Sequence, residues 1–258
     1  MSFKDHFSQG AAEYARSRPG YPPALFAALG RLVSPRDLAW DCGTGNGQAA
    51  LGLTKHFERV YATDASAAQL REAVAHPRIT YQHTGESGTK LGNGAVDLIT
   101  AAQAAHWFDL ELFYKEVRRV LRPGGVLAMW CYGLCRIDPL IDAPLREFYT
   151  QTVGPCWPPE RHHVDTDYRT LPFPFLEEPF PAVAMGLDWT LPELIAYVHT
   201  WSAVAQYRNQ RGEDPVSSLH GRLSGLWGDP EAARRVTWPL EGRVGRMPSV
   251  APPPRTSA

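Results

Sequence analysis

Between Leu38 and Leu51 the chain reads LAWDCGTGNGQAAL: an apolar run, three alternate glycines, then an alanine-rich run. The first run suits a buried strand, the glycines allow a tight turn, and the last run suits a helix. A strand that turns directly into a helix belongs to a parallel sheet, because the helix must carry the chain back across a face. The first half repeats this alternation. RVYATDA, ITYQHT, VDLITAAQAA and GVLAMWCYG read as further strands, with AAQLREAVA and DLELFYKEVRRVLRPGG as helices. In the second of these helices Leu112, Phe113, Val117, Val120 and Leu121 set the apolar face, and Gly124 and Gly125 stand where a helix end is expected. Strands that are apolar nearly throughout belong to sheets covered on both faces.

The flanks are less regular. Phe3, Phe7, Ala11 and Tyr14 are spaced for an opening helix, which SRPGYPP breaks before PALFAALGRLV forms another. From Ile137 to Pro181 prolines are dense and aromatics frequent, which predicts an insertion of short helices and loops after the fifth strand. AVAMGLDWTL and RRVTWPLEGRVG read as two last strands, and PELIAYVHTWSAVAQYR and PVSSLHGRLSGLW as one helix each. The expected segments are a helical cap over 1–36, a core over 37–135, an insertion over 136–181, completing strands and helices over 182–247, and a disordered proline-rich tail over 248–258.

Composition narrows the partners. The 258 residues carry a formal net charge of −1, which gives no broad field for nucleic acid or an acidic membrane. No run is long and apolar enough to span a bilayer, and the N-terminus lacks a secretory pattern. The four cysteines, at 42, 131, 135 and 156, form no CxxC pair, and the nine histidines show no zinc spacing. The expectation is a cytoplasmic protein with reduced thiols, no metal, no membrane and no nucleic acid; the oligomeric state is left open, with a monomer preferred.

The glycine turn is a ligand cradle of the dinucleotide type. The nicotinamide fingerprint G-x-G-x-x-G/A fails at Gln48, and Asp41 just precedes the turn. A carboxylate there suits a cationic ligand better than a pyrophosphate. Asp64 ends the second strand about twenty residues beyond the turn, the spacing of an acidic residue that takes ribose hydroxyls; it also fits a helix N-cap.

Four blocks, WDCGTGNG, VYATDAS, GES with VDLITAAQAAHWFD, and VRRVLRPGGVLAMW, appear in an order that resembles class I S-adenosylmethionine-dependent methyltransferases of the type 11 group. AHWFD and the opening FSQGAAEYARSRPGYP resemble the trans-aconitate methyltransferase-like branch. The resemblance implies an α/β, Rossmann-like, doubly wound and mostly parallel seven-stranded sheet with helices on both faces. It implies S-adenosylmethionine as cofactor. Asp41, Gly43 and Gly45, with Thr44, would line its methionine part; Asp64, with Ala65, its ribose; Gly85 and Glu86 its adenine; Ala102 and Gln103 its ammonium. Many relatives have Ala-Glu where this chain has Gly85-Glu86.

The acceptor side is less marked. His106 follows the fourth strand and is the candidate general base, or else a packing group that shapes the pocket. Trp107 reads as a pocket wall. Tyr14, Arg18 and Tyr21 in the opening segment, Tyr132 after the fifth strand and Trp201 in the long C-terminal helix complete the candidate substrate set; each also has a reading as core or solvated surface. The leading expectation is methyl transfer to a small molecule, O-methylation of a carboxylic acid in particular. The alternatives are a non-catalytic S-adenosylmethionine-binding protein, a methyltransferase acting on RNA or protein, and a nicotinamide-dependent oxidoreductase.

Overall fold

A computed structural model describes residues 19–249. The segment expected to form the opening helix, with Tyr14 and Arg18, and most of the proline-rich tail lie outside the described residues. The strands are β1 (Leu38–Cys42), β2 (Arg59–Asp64), β3 (Ile79–His83), β4 (Val96–Ala102), β5 (Leu121–Cys131), β6 (Leu176–Glu178), β7 (Val183–Trp189) and β8 (Arg234–Arg246). The chain divides into two compact units. Of the described residues, one comprises Pro22–Cys131, Thr166–Ala182 and 241–249; the other comprises 19–21, Tyr132–Asp165 and Val183–Leu240.

The first unit is the sheet. Its strand order is β3-β2-β1-β4-β5-β8-β6. The first five strands pair in parallel, while β8 runs antiparallel between β5 and β6. Its helices are α1 (Pro23–Arg31), α2 (Gln48–Leu53), α3 (Ala67–Arg71) and α4 (Leu110–Val120). β4 is buried along almost its whole length, as its unbroken apolar run predicts. The amino ends of the central strands are fastened by one carboxylate. Asp97 Oδ2 accepts the Asp37 and Leu38 amides at 2.7 and 2.9 Å, and Arg122 Nε lies 2.7 Å from Oδ1. Burial pushes the Asp97 carboxyl up, and Arg122 opposes that shift.

The structure departs from the sequence expectation at several places. The path β3-β2-β1-β4-β5-β8-β6 has the seven strands expected of the sheet among the described residues, but one of them, β6, lies in the proline-rich stretch expected to be loop, and β7 pairs with β8 off that path. α4 stops at Val120, and Leu121 is already extended. Gly124 and Gly125 do not end the helix but serve a register shift in β5, where Gly124 N donates to the Met247 carbonyl at 3.1 Å and Met247 N to Gly125 at 2.8 Å. Leu112, assigned to the buried face, is 46% exposed.

The second unit contains α5 (Pro139–Glu147), α6 (Arg161–Asp165), α7 (Leu191–His199), α8 (Ser202–Arg211) and α9 (Val216–Trp227), together with a ribbon of β7 and residues 234–240 of β8. Its core is aromatic: the Trp189, Tyr197 and Trp238 rings lie 5.0–5.5 Å apart, and Trp238 Nε1 donates to the Tyr197 hydroxyl at 3.2 Å. The single helix expected from PELIAYVHTWSAVAQYR is two. Thr200 Oγ1 donates to the Tyr197 carbonyl at 2.6 Å, a local bond that competes with helix continuation, and Trp201 is extended. No helix among the described residues is long and apolar enough to cross a membrane.

Candidate functional site

β1 lies between β2 and β4, so the connections from β1 and from β4 leave the sheet in opposite directions. In open α/β sheets a ligand binds at the carboxyl ends of such strands. The glycine turn follows β1 there. Gly43, Gly45 and Gly47 have φ of +68°, +56° and +86°. They serve different needs. A Cβ on Gly43 would lie 2.6 Å from the Ala104 Cβ, and one on Gly47 would collide with the Tyr81 hydroxyl. A Cβ on Gly45 would meet Gln69 Oε1 at 3.7 Å, an ordinary contact with the end of a flexible side chain, so this position has the room that Gly43 and Gly47 lack.

Two carboxylates hold this turn. Asp41 is fully buried, and its oxygens accept Thr44 Oγ1 at 2.6 Å and Thr100 Oγ1 at 2.7 Å. It therefore joins β1, the turn and β4. Burial pushes its carboxyl up to about 6, although both threonine hydroxyls favour the charged form. Asp64, at the end of β2, accepts the Gly45 amide on Oδ2 and the Ser66 amide on Oδ1, both at 2.8 Å. The N-cap of α3 is Ser66, not Asp64. Thr44 N also donates to the Thr63 carbonyl at 2.9 Å, which ties the turn to β2.

The other cofactor candidates gather at the same end of the sheet. Gly43, Gly45, Asp64, Ala65, Gly85, Glu86, Ala102 and Gln103 are all half-buried, while Asp41 and Thr44 are covered beneath them. Glu86 Oε1 accepts the Asp109 amide at 3.3 Å, linking the loops after β3 and β4. A Cβ on Gly85 would meet nothing within 4 Å, so alanine would fit there. Gln103, next after β4, has φ +54° and its backbone N–H donates to the Trp130 carbonyl at 2.8 Å. Left-handed backbone in a residue other than glycine costs energy and concentrates at functional sites.

Past Gln103 the chain makes a short helical turn, Ala105–Trp107. It presents His106, which is 9% exposed, and half-buried Trp107, with ring centroids 4.8 Å apart. His106 Nδ1 lies 2.9 Å from the Tyr168 hydroxyl. Tyr168 is fully buried and, with its neighbour Asp167, has positive φ, +61° and +56°. Sequence reasoning missed Tyr168: VDTDYRT contains no glycine to mark the bend, and nothing in it points back to residue 106.

The remaining candidates lie in the second unit. Tyr21 is half-buried, Tyr132 is 7% exposed and Trp201 is 3% exposed. Trp201 packs against Tyr149, Trp157 and Tyr197 with centroids 5.6–5.9 Å apart. His162 and His163 have ring centroids 5.9 Å apart, and among the described residues no three metal-ligating side chains come together.

The residues fit S-adenosylmethionine. Gly45 leaves its ligand side without a Cβ, and two carboxylates stand at the turn, a setting for a cationic ligand and a poor one for a pyrophosphate. Comparison with known proteins agrees. A methyltransferase domain family matches residues 40–129. A Dictyostelium discoideum protein named as a methyltransferase is 33% identical over 225 residues, 86% of each chain. An uncharacterized methyltransferase of Mycobacterium tuberculosis is 31% identical over 177 residues, 64% of this chain and 71% of that one. A solved structure from Anaeromyxobacter dehalogenans, assigned as a type II methyltransferase, is 47% identical with a TM-score of 0.85, covering 90% of this chain and 99% of the other. Glycine turn, strand order and relatives together place this chain: it belongs to the class I S-adenosylmethionine-dependent methyltransferases, and S-adenosylmethionine is its cofactor.

Proposed function

We propose that the enzyme methylates an oxygen of a small carboxylic acid, with His106 as the group that orients the acceptor and takes its proton when the acid arrives protonated. The observation that carries this reading is the His106–Tyr168 pair, a buried polar contact of 2.9 Å just beyond the end of β4. S-adenosylmethionine supplies a methyl group on a sulfonium, so the protein's part is alignment, exclusion of water and proton handling. A base at Nε2 requires the tautomer in which Nδ1–H donates to the Tyr168 hydroxyl. An acid bound as its anion needs no base, and takes a hydrogen bond from the imidazole instead.

For the cofactor, residues 37–135 are the binding segment. Gly43, Thr44 and Gly45 take the methionine part above buried Asp41. Asp64 and Ala65 take the ribose, Gly85 and Glu86 the adenine, and Ala102 and Gln103 the ammonium. Asp64 keeps lone pairs for the ribose beyond those it spends on two amides. Trp107, Tyr21, Tyr132 and Trp201, with Tyr14 and Arg18, are the acceptor-side residues. The net charge of −1 supports a small acceptor over a nucleic acid.

The test is incubation of the purified enzyme with S-adenosylmethionine and panels of small carboxylic acids, phenols, transfer RNA and peptides. Formation of an alkali-labile methyl ester on an acid is expected. Methyl incorporation into RNA, peptide or phenol, with none into any acid, overturns the reading.

A further inference from the structure

The block VRRVLRPGG carries part of the family resemblance, but the proposed cofactor contacts use none of it. Its Arg119, with Glu116 one turn earlier on α4, grips the loop between β3 and β4. Glu116 is buried, and its Oε1 accepts the Thr89 amide at 2.9 Å and the Thr89 hydroxyl at 2.6 Å. Arg119 engages all three of its guanidinium nitrogens. Nε donates to Glu116 Oε2 at 2.9 Å and Nη2 to Oε1 at 2.6 Å, the two-pronged pairing of arginine with carboxylate. Nη1 donates to the Leu91 carbonyl at 2.7 Å and to Asn93 Oδ1 at 3.0 Å, and Nη2 also reaches Thr89 Oγ1 at 3.2 Å.

The near end of this loop is fixed as well. Thr84 N donates to the Asp64 carbonyl at 3.1 Å, and Thr84 Oγ1 to the Ser87 carbonyl at 3.2 Å. Between these two feet, residues 85–88 form a short arch that carries Gly85 and Glu86. A Cβ on Gly85 or Gly88 would meet nothing within 4 Å, so packing at these two positions does not hold the arch. Its feet and the bond from the Asp109 amide to Glu86 do. A chain closed between fixed points keeps few conformations, and freeing one foot restores many. The purine makes this matter. Adenine offers an amino donor where hypoxanthine offers a carbonyl acceptor. A carboxylate such as that of Glu86 only accepts, so it tells the two apart when it is held in place beforehand.

We propose that Glu116 and Arg119 are positioning residues of the adenine site: they fix the far foot of the arch at Thr89, and so give the enzyme its choice of S-adenosyl over S-inosyl ligands. This rests on the adenine reading of Gly85 and Glu86. The full chain is titrated in the calorimeter with S-adenosylhomocysteine and with S-inosylhomocysteine, its deaminated analogue. Urea midpoints read the fold separately.

Wild type is expected to prefer the adenosyl compound by about tenfold or more, the size of one hydrogen bond to a charged group. Arg119→Met should reduce that preference to about threefold or less. Because it leaves buried Glu116 without its partner, Thr89→Val supplies a second arm. It removes only the loop's hydroxyl, leaves the Glu116–Arg119 pair in place, and should lower the preference in the same direction; Thr89→Ser should restore it. A merely structural tie would lower the urea midpoints and leave the preference as it is. Arg119→Met that keeps the full preference overturns the proposal while the adenine reading stands; should that variant fail to fold, Thr89→Val decides in the same way. Equal binding of the two compounds by wild type strikes the adenine reading, and the proposal with it.

Discussion

Thr100 Oγ1 donates to Asp41 Oδ1 at 2.7 Å, a fully buried contact between neighbouring parallel strands 59 residues apart in sequence. It places a carboxylate in the sheet interior directly beneath the glycine turn.

That burial has a pH signature. The Asp41 carboxyl rises from an ordinary 3.8 to about 6 in the folded chain. Between those values the folded chain holds more proton than the unfolded one, so this group's contribution to stability is fully present below the lower value. It is lost as pH climbs to about 6. The loss amounts to at most about 3 kcal/mol. Glu116, held near 2 chiefly by Arg119, acts with the opposite sign and only as pH falls below its ordinary 4.5. Urea midpoints measured from pH 4 to 7 should therefore fall less steeply with rising pH in Asp41→Asn than in wild type. Parallel curves would contradict the assignment.

The glycines of the turn should separate into a folding position and a binding position. Gly43→Ala places a methyl against Ala104 and Phe108 at positive φ, and should cost about 3 kcal/mol in thermal or urea unfolding. Gly45→Ala meets only Gln69 Oε1 at an ordinary 3.7 Å, so it should cost just the strain of its positive φ, about 1 kcal/mol, while weakening S-adenosylhomocysteine sharply in calorimetry. Equal behaviour of the two variants would mean that the open side of Gly45 is not the ligand side.

Asp64→Ala is expected to damage both fold and affinity. The sequence alone suggests a ribose ligand or a helix N-cap. The structure shows the same carboxylate bonded to the Gly45 and Ser66 amides, so about 2 kcal/mol of stability should go with it. Differential scanning calorimetry with and without S-adenosylhomocysteine distinguishes the two losses.

Tyr168→Phe should act on the rate and not on the cofactor. The ring still fills its buried site, but the 2.9 Å partner of His106 Nδ1 is gone. A fall in kcat of about tenfold is expected, with unchanged S-adenosylhomocysteine affinity. An unaltered kcat would reduce the pair to packing.

Much of the sheet could be read directly because its signals are local. LAWDC, RVYATD and VDLITAA are unbroken runs that need two covered faces, and GTGNG cannot be ordinary helix or strand. What escaped is set by distant partners. LEE at 176–178 becomes a strand only because residues 244–246 lie beside it. The helix expected to run through HTW breaks because one threonine hydroxyl competes with the backbone. Of the site, the positions at the strand ends were legible from their order along the chain. The bond from the Gly45 amide to Asp64 and the pairing of His106 with Tyr168 were not, since the residues involved lie 19 and 62 positions apart with no motif joining them.

β5 pairs with residues 241–246, and Arg246 Nη1 bonds the carbonyls of Leu32 and Gly124, which precede it by 214 and 122 positions. A ribosome makes those partners in that order. Throughout the interval the nascent β1–β5 sheet presents β5 as an open, apolar edge, the kind that recruits other strands. The enzyme's solubility during synthesis thus depends on how long that edge waits for its neighbour. Slowing translation between residues 131 and 241 should cost more yield than slowing it anywhere upstream.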